Sequence, residues 1–311
     1  MSDAPPLVAG VELGGTKCVC LLATGPQDIR DEVRLSTHGP DETLAAIDAV
    51  LARWHAAHGF RALGLASFGP LELDPRSAAF GSIIATPKRG WDRVNLISRP
   101  RAFTLPVTLD TDVNGAALAE GLWGGARGLD SWVYVTVGTG IGVGSIVRGA
   151  PVHGLGHPEA GHQRVPRLAG ESWPGNCPFH GDCAEGLASG PAIQARAGVP
   201  FAELTADQPV WNEAVHALAG LLHNIVLTVV PQRILVGGGV ILGQPALLPR
   251  VRRALRDSLG DYGGVVQRVG DMEQYVRTPL LGERAGPLGA IALAQRALQR
   301  PAAVAWQADS C

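Results

Sequence analysis

Residues 11–19 read Val11-Glu12-Leu13-Gly14-Gly15-Thr16-Lys17-Cys18-Val19, and residues 135–143 echo them as Val135-Thr136-Val137-Gly138-Thr139-Gly140-Ile141-Gly142-Val143. Each copy is an apolar run, a glycine-containing turn and a second apolar run, which predicts two strands joined as a β-hairpin. The echo indicates two similarly built halves. Glycine lets main-chain amides approach an anion closely, so both turns are candidate phosphate sites, although glycines that serve only hairpin geometry are the alternative.

Around these hairpins, strand-like and helix-like segments alternate, which predicts the α/β class. Short apolar or alternating runs are typical of strands, and we expect them at 7–13, 19–22, 33–37, 62–67, 105–110 and 234–240. Alanine-rich or longer apolar runs are typical of helices, and we expect them at 43–55, 116–122 and 218–230. The chain has 311 residues, a length that suggests two domains.

Composition excludes several classes of function. The formal net charge is −2, and the 7 Trp, 3 Tyr and 6 Phe are scattered without a basic stripe, so nucleic acid is not expected as a partner. The apolar run 218–230 is shorter than the ~20 residues that cross a bilayer, so no membrane span is expected. The N-terminus lacks the pattern of a secretory signal, and we expect a cytoplasmic protein.

Neither glycine turn fits a familiar nucleotide fingerprint. A P-loop needs Lys directly after its second glycine, where this chain has Thr16. The dinucleotide fingerprint needs glycine where the second turn has Val143. What remains is a pair of backbone cradles, with Thr16 and Thr139 each adding a hydroxyl.

The run Asp110-Thr111-Asp112-Val113-Asn114-Gly115 resembles the start of an EF-hand loop, but the required glutamate is absent because Gly121 stands in its place. Two interpretations remain open. An Asp or Thr before 116–120 would cap a helix. Alternatively, a carboxylate at the C-terminal end of a strand would point into the crevice where α/β ligands bind and accept a hydroxyl proton.

The run Cys177-Pro178-Phe179-His180-Gly181-Asp182-Cys183 carries three zinc-type ligands in a loop. His162 is the best fourth ligand, while His153, His157, Cys18 and Cys20 compete for that position. The five cysteines, at 18, 20, 177, 183 and 311, are an odd number, which argues against a disulfide framework. Four protein ligands would leave no position for water, so such a zinc would be structural and could supply on the order of 10 kcal/mol toward ordering the loop.

Glu159 and Glu185 stand beside these ligands in sequence, and a metal would hold both carboxylates where they could bind a polyol. A paired-carboxylate glycosidase uses the same residue types. A glycosidase, however, has no use for two phosphate-cradling turns.

Together these segments resemble the ROK family of sugar kinases and related repressors, in the actin-like ATPase superfamily. The resemblance covers nearly the whole chain and is carried by 10–17, 137–142, 236–239 and the block Glu159-Ala160-Gly161-His162 with the cysteine loop. It implies two RNase H-like α/β domains with an active-site cleft between them. The domains would be 1–117, completed by a C-terminal helix at about 286–300, and a larger one at 118–285 that carries the zinc loop.

The resemblance also implies the roles of individual residues. Asp112 would be the catalytic base, and ATP, Mg²⁺ and a structural Zn²⁺ would be bound. The sugar would contact Thr111, Glu159, His162, Glu185, Gly69 and Gly81. The nucleotide would contact Gly14, Gly15, Thr16, Lys17, Gly138, Thr139, Gly140, Pro191, Gly237, Gly238, Gly239, Val240 and Ile241. Zinc would bind His162, Cys177, His180 and Cys183, and a homodimer is expected.

Three departures from the family pattern bear on the substrate. Glu12 stands where many members have Asp, which lengthens its reach toward a magnesium-bound water, and Thr111 replaces an Asn. The Cys-x2-His-x2-Cys loop, together with 86–91 (Thr-Pro-Lys-Arg-Gly-Trp), looks like the fructokinase branch. The expected reaction is fructose plus ATP to fructose 6-phosphate plus ADP.

Two alternatives to the fructokinase remain. One is a glucose, mannose or N-acylhexosamine kinase of the same family, and the other is a catalytically weak sugar sensor. Sensors of this kind carry a helix-turn-helix before the first hairpin, which here starts by residue 7, so we expect the kinase.

Overall fold

Two five-stranded sheets organise the chain, which the computed structural model describes at residues 5–99 and 103–299. The described residues fall into two units, and α/β is confirmed as the fold class. The first unit lies within Met1–Leu122, Gly154–His157 and Glu283–Cys311, and the second within Trp123–His153 and Pro158–Gly282. The domain limits 1–117 and 118–285 stay a prediction. Cys311 lies outside the described residues.

The strands, in chain order, are β1 (Val8–Leu13), β2 (Lys17–Gly25), β3 (Asp28–Ser36), β4 (Leu63–Ser67), β5 (Val107–Thr111), β6 (Trp132–Val137), β7 (Ile141–Val147), β8 (Ala150–Pro151), β9 (Ile234–Gly237) and β10 (Val276–Arg277). The helices are α1 (Pro40–His58), α2 (Asp112–Trp123), α3 (Ala184–Ala188), α4 (Gly190–Ala197), α5 (Val210–Val229), α6 (Gly239–Gly243), α7 (Leu247–Leu259), α8 (Val265–Val269), α9 (Met272–Tyr275) and α10 (Ala285–Gln299).

The two sheets have the same topology. The first has the order β3-β2-β1-β4-β5 and the second, read from its other edge, β8-β7-β6-β9-β10. In each, the first three strands of the unit are antiparallel neighbours and the last two add in parallel. The repeated sequence pattern therefore corresponds to a repeated arrangement of strands, as the echo indicated.

Both predicted hairpins are present. Leu13 pairs with Cys18 across the first glycine turn, and Val137 pairs with Ile141 across the second. Parallel pairing of β1, β4 and β5 brings the ends of these strands, Leu13, Ser67 and Thr111, into one row. In the first unit, the glycine turn and the start of α2 therefore lie at the same edge of the sheet.

Helix α10 packs directly on the first sheet because glycine leaves room for it. A Cβ at Gly64 would stand 2.5 Å from the Ala294 nitrogen, a contact that no side chain could make. The nearly continuous buried run of β1 and β4 fits strands covered on both faces. The last helix is thus part of the first core, although it comes from the far end of the chain.

Helix α5 carries the core of the second unit. Twelve of its residues are buried, including Trp211 and Leu222. The sequence predicted only its second half, because the first half mixes polar residues such as Asn212 and Glu213 with the apolar ones. The helix ends at Val229, and the residue after it, Val230, has the left-handed φ of 51° and precedes Pro231. No helix among the described residues is long and apolar enough to cross a membrane.

Candidate functional site

The first glycine turn is an exposed connection between β1 and β2. Gly14 N donates to Lys17 O at 3.0 Å, which closes the turn, and Gly15, Thr16 and Lys17 are exposed to solvent. Lys17 begins β2. These four predicted nucleotide residues are therefore contiguous and accessible.

Asp112 is the first residue of α2, directly after β5. The structure distinguishes the two interpretations of this segment, because Thr111 and not Asp112 caps the helix. Thr111 Oγ1 accepts a hydrogen bond from Asn114 N at 3.2 Å, which caps α2, and Thr111 is buried. Asp110 is also buried and accepts hydrogen bonds from Thr111 N at 2.8 Å and Asn114 Nδ2 at 2.7 Å. The capping bond thus engages the Thr111 hydroxyl, while the carboxylate of Asp112 is half-buried at the sheet edge.

Two carboxyl groups of the first unit are poised near neutrality. Burial raises the pKa of Asp112 to about 6, against the pull of the Val113 amide that donates to Asp112 Oδ1 at 2.8 Å. Burial, reinforced by the negative charge of Asp112, raises the pKa of Glu12 to about 7, while Lys17 and Arg34 oppose the rise. A carboxylate with a pKa near the working pH is suited to general-base chemistry.

Space for a side chain is tight at Gly69, and Gly81 has a structural reason to be glycine. A Cβ at Gly69 would stand 3.3 Å from the ring of His157, whose Nε2 accepts a hydrogen bond from Leu71 N at 2.9 Å. Gly81 has a φ of 84°, and a Cβ there would stand 2.6 Å from Ile97 Cδ1. Their sugar contacts stay a prediction.

The second glycine turn is braced by two helices of its own unit. Gly138 N donates to Gly140 O at 2.9 Å, and Gly190 N, at the start of α4, donates to Gly138 O at 2.8 Å. Ile141 N donates to Glu185 Oε2 at 3.0 Å, so the side chain from α3 holds the strand that follows the turn. Sequence reasoning missed this link, since nothing in the sequence relates Glu185 to Ile141.

The remaining predicted nucleotide residues surround the C-terminal end of β9 and the start of α4. Gly237 ends β9, Gly238 has a φ of 92°, and Gly239 begins α6. The side chains of Val240 and Ile241 are buried in the core, so a nucleotide contact with these two residues stays a prediction. Pro191 is exposed in the first turn of α4.

Four side chains of the second unit form a cluster that suits zinc: His162, Cys177, His180 and Cys183. Cys177 Sγ is 3.6 Å from His162 Nδ1 and 3.7 Å from His180 Nδ1, and Cys183 Sγ is 3.6 Å from His162 Nδ1. Zinc bonds of about 2.0–2.3 Å in a tetrahedron separate neighbouring ligand atoms by about 3.3–3.8 Å, so these distances fit the ion. Burial, with the nearby Cys177 thiol and Glu185 carboxylate, raises the pKa of the Cys183 thiol to about 11. A bound cation would lower this pKa again, because it stabilises the thiolate.

The composition of the cluster bears on which residue would be the fourth zinc ligand. His162 belongs to it, whereas Cys18 and Cys20 lie on β2 and His157 lies in the first unit. His153 is not a member. Among the described residues, the geometry therefore favours the ligand set that the family resemblance implied.

Charged residues hold the cysteine loop from outside. Arg167 donates to Asp182 Oδ2 at 3.1 Å and to Trp173 O at 2.5 Å, and Arg164 pairs with the other oxygen of Asp182. Glu159, the second predicted sugar carboxylate, is exposed directly before the short helix Ala160–His162. The loop and the two predicted sugar carboxylates thus belong to one unit.

Comparison with known proteins gives the family. Residues 8–297 match the ROK family, and the chain therefore belongs to it. It is 39% identical to a putative fructokinase of Bacillus subtilis (strain 168), over 96% of this chain and 98% of the relative. It is also 39% identical to a fructokinase of Zymomonas mobilis, covering 94% of this chain and 98% of the relative. A ROK hexokinase structure from Thermus thermophilus matches with a TM-score of 0.76 and 27% identity, over 94% of this chain and 99% of that one.

Proposed function

We propose that this protein is an ATP-dependent fructokinase that transfers the γ-phosphoryl group of ATP to the 6-hydroxyl of fructose. The observation that carries the proposal is Asp112, a carboxyl at the C-terminal end of a parallel strand whose pKa burial raises to about 6. It is deprotonated at neutral pH and basic enough to accept a proton from an alcohol as the alcohol attacks. The fructokinase names of the 39% identical relatives favour fructose among the hexoses.

In the proposed mechanism, Asp112 accepts the hydroxyl proton while the sugar oxygen forms a bond to the γ-phosphorus and the bond to the β–γ bridging oxygen breaks. The products are fructose 6-phosphate, ADP and a proton. Charge on the phosphates is balanced by the amides of the turns at 14–17 and 138–140, which need no reorganisation during the reaction. We assign Glu12, whose carboxyl interacts electrostatically with that of Asp112, to the binding of Mg²⁺, and the ion would neutralise charge on the phosphates.

We assign sugar binding to Glu159, Glu185 and His162, and zinc binding to His162, Cys177, His180 and Cys183. A closed set of two thiolates and two imidazoles has no open position for water, so zinc would have a structural role. The ion would fix His162 and orient the residues next to it in sequence. A homodimer is the proposed assembly, which light scattering would test.

The test is a sugar-stimulated ADP-release assay with fructose, glucose, mannose and N-acetylmannosamine. We expect the highest kcat/KM with fructose. Asp112→Asn should lower kcat about 10²–10⁴-fold while fructose affinity, measured by calorimetry, is kept. Asp41→Asn, an exposed change in the first turn of α1, is the control and should leave both unchanged.

Each outcome of the assay decides between the candidates. Highest activity with glucose or an N-acylhexosamine would replace fructose but keep the kinase. Hexose binding without ATP turnover would favour a sugar sensor. An Asp112→Asn protein with normal kcat would remove that residue from the mechanism.

A further inference from the structure

The first glycine turn has its carbonyl oxygens bound by donors from elsewhere in the first unit. Thr37 Oγ1 donates to Gly14 O at 2.9 Å, and Thr37 N donates to Thr16 O at 3.0 Å. The ammonium of Lys88 donates to Gly15 O. All three carbonyl groups of the Gly14–Thr16 segment therefore have a partner outside it.

Because a peptide bond is planar, these hydrogen bonds to the carbonyl groups also fix the orientation of the amides that follow them. In a trans peptide the C=O and the N–H that follows it point to opposite sides. The Gly14 carbonyl thus orients the Gly15 amide, and the Gly15 carbonyl orients the Thr16 amide. Within residues 5–99 and 103–299, neither of these two amides has a hydrogen-bond acceptor. Two adjacent unpaired amides are what a bound phosphate requires.

The two bracing residues are joined through Trp91. Trp91 N donates to Lys88 O at 3.1 Å, and Trp91 Nε1 donates to His38 O, next to Thr37, at 3.1 Å. The Trp91 side chain is fully buried, and Phe68 packs against it with ring centroids 5.4 Å apart. The Lys88 ammonium lies 5.9 Å from the centre of the Phe68 ring, within the range of a cation–π contact. Lys88 is therefore held at the turn by a packed aromatic pair.

The residue type at 88 is also informative. Lys17 and Lys88 are the only lysines in the chain, every other basic residue in the Lys+Arg total of 26 being arginine, and both stand at this turn. A lysine ammonium has three donors on a compact charge, so one N–H can bind the Gly15 carbonyl while the others face an anion.

We infer that Lys88 and Thr37 are positioning residues for ATP: they fix the carbonyl groups of Gly14, Gly15 and Thr16 so that the amides of the turn are aligned for the phosphates. The inference rests on the proposed function, which assigns this turn to ATP. It adds two residues, far from the turn in sequence, that no glycine pattern identifies.

The test compares Lys88→Met and Thr37→Val with the conservative variants Lys88→Arg and Thr37→Ser, in the full-length protein with Mg²⁺ present. We would measure the Kd of AMPPNP by calorimetry, KM for ATP and for fructose, and Tm. Loss of one hydrogen bond from a charged group is worth about a tenfold change in affinity, so Lys88→Met should raise the Kd of AMPPNP and the KM for ATP roughly tenfold. KM for fructose should stay within about twofold of the wild-type value.

Thr37→Val should act in the same direction, and Thr37→Ser, which keeps the hydroxyl, should restore affinity. Lys88→Arg should recover part of the loss. Arg89→Ala, an exposed change on the same loop, is the matched control and should leave the affinity for AMPPNP unchanged.

Failure of the inference and failure of the proposed function give different results. If the wild type binds AMPPNP and Lys88→Met binds it equally well, the positioning role is refuted while the kinase stands. If KM rises equally for both substrates and Tm falls, Lys88 is only a structural residue and the inference is again overturned. If the wild type binds no AMPPNP, the proposed function fails and the inference fails with it.

Discussion

The carboxylate of Glu12 lies where a side chain on Gly286 would have to stand. A Cβ built on Gly286, in the first turn of α10, would be 2.5 Å from Glu12 Cδ. Glutamate at 12 and glycine at 286 therefore depend on each other. The glutamate carboxylate occupies the space that a side chain at 286 would need, and an aspartate at 12 would be one methylene shorter. This pairing gives a physical context to the departure at Glu12 from the aspartate of the family pattern.

Gly286→Ala should destabilise the protein, because its methyl group forces Glu12 out of place. The atoms in the way are the end of a flexible side chain, which can move, so the cost should be near the lower limit for overpacking, about 1 kcal/mol. Glu12→Asp is one methylene shorter and should relieve the clash, so the double variant should be more stable than the sum of the single changes predicts. The measurement is urea denaturation of the four proteins as a double-mutant cycle.

Gly25→Ala serves as the control, because a Cβ there has nothing within 4 Å. It should change the free energy of unfolding little. A coupling energy of zero between positions 12 and 286 would show that the two residues are independent.

Glu12 should also make stability depend on pH. Its pKa is about 7 in the folded protein against the ordinary 4.5, so the folded state holds the proton more tightly than the unfolded chain. Its contribution to the free energy of unfolding is therefore fully favourable below pH 4.5, declines between 4.5 and 7, and stays at its lowest above 7. Glu12→Gln, which carries no charge, should gain stability over the wild type at pH 8, by at most about 3 kcal/mol.

The comparison is made by urea denaturation at pH 4.5 and pH 8 in buffer without divalent cations. The advantage of Glu12→Gln should be present at pH 8 and absent at pH 4.5. An advantage of equal size at both pH values would trace the gain to packing and not to the buried charge.

How much of this site could be predicted depends on the distance in sequence between interacting groups. The hairpins and the Cys-x2-His-x2-Cys loop are local, so their glycines and ligand spacing were sufficient to predict them. The braces of the first turn join Gly14 to Thr37 and Gly15 to Lys88, and no periodicity reports such pairs.

The predicted limits of strands and helices were wrong where polar residues belong to an element. Strand β3 begins at Asp28, five positions before the predicted start at 33, because it is an edge strand with charged side chains facing solvent. Helix α2 begins at Asp112, before the apolar run at 116, because the hydroxyl of Thr111 supplies its cap. Residues 154–157 belong to the first unit although the residues on both sides of them belong to the second, and their composition does not indicate this.

Activity should follow the ionisation of Asp112. Its pKa of about 6 is raised by burial, and only the deprotonated carboxylate can accept the hydroxyl proton. Below about pH 6, kcat/KM for fructose should therefore fall about tenfold per pH unit. The measurement is a profile of kcat/KM from pH 4.5 to 8, with circular dichroism at each pH as the control for unfolding. A flat profile down to pH 5 in folded protein would argue against Asp112 as the base.

Elemental analysis should find one zinc ion per chain. Cys177→Ser and His180→Ala should lose it and lower both Tm and fructose affinity, because a bound zinc would order the loop next to Glu159 and Glu185. Cys20→Ala, a change on β2 outside the cluster, should keep the zinc even if it lowers Tm. Metal-free protein with full stability and full activity would contradict the assignment.

Two variants of Glu185 should distinguish its proposed role in sugar binding from its role in holding the second glycine turn. Its Oε2 accepts a hydrogen bond from Ile141 N, and a Cβ on Gly140 would stand 2.7 Å from the same oxygen. Glu185→Gln can keep an oxygen acceptor for Ile141 while losing the charge, whereas Glu185→Ala loses both. We therefore expect both variants to raise KM for fructose, and Glu185→Ala alone to raise KM for ATP, roughly tenfold.

Gly140→Ala should resemble Glu185→Ala in its effect on ATP, since its methyl group displaces the carboxylate from Ile141. Glu203→Ala, an exposed change in the same unit, is the control and should alter neither KM. If Glu185→Ala leaves KM for ATP at the wild-type value, the bond to Ile141 does not hold the second turn. The turn would then keep its geometry through the bond between Gly190 N and Gly138 O.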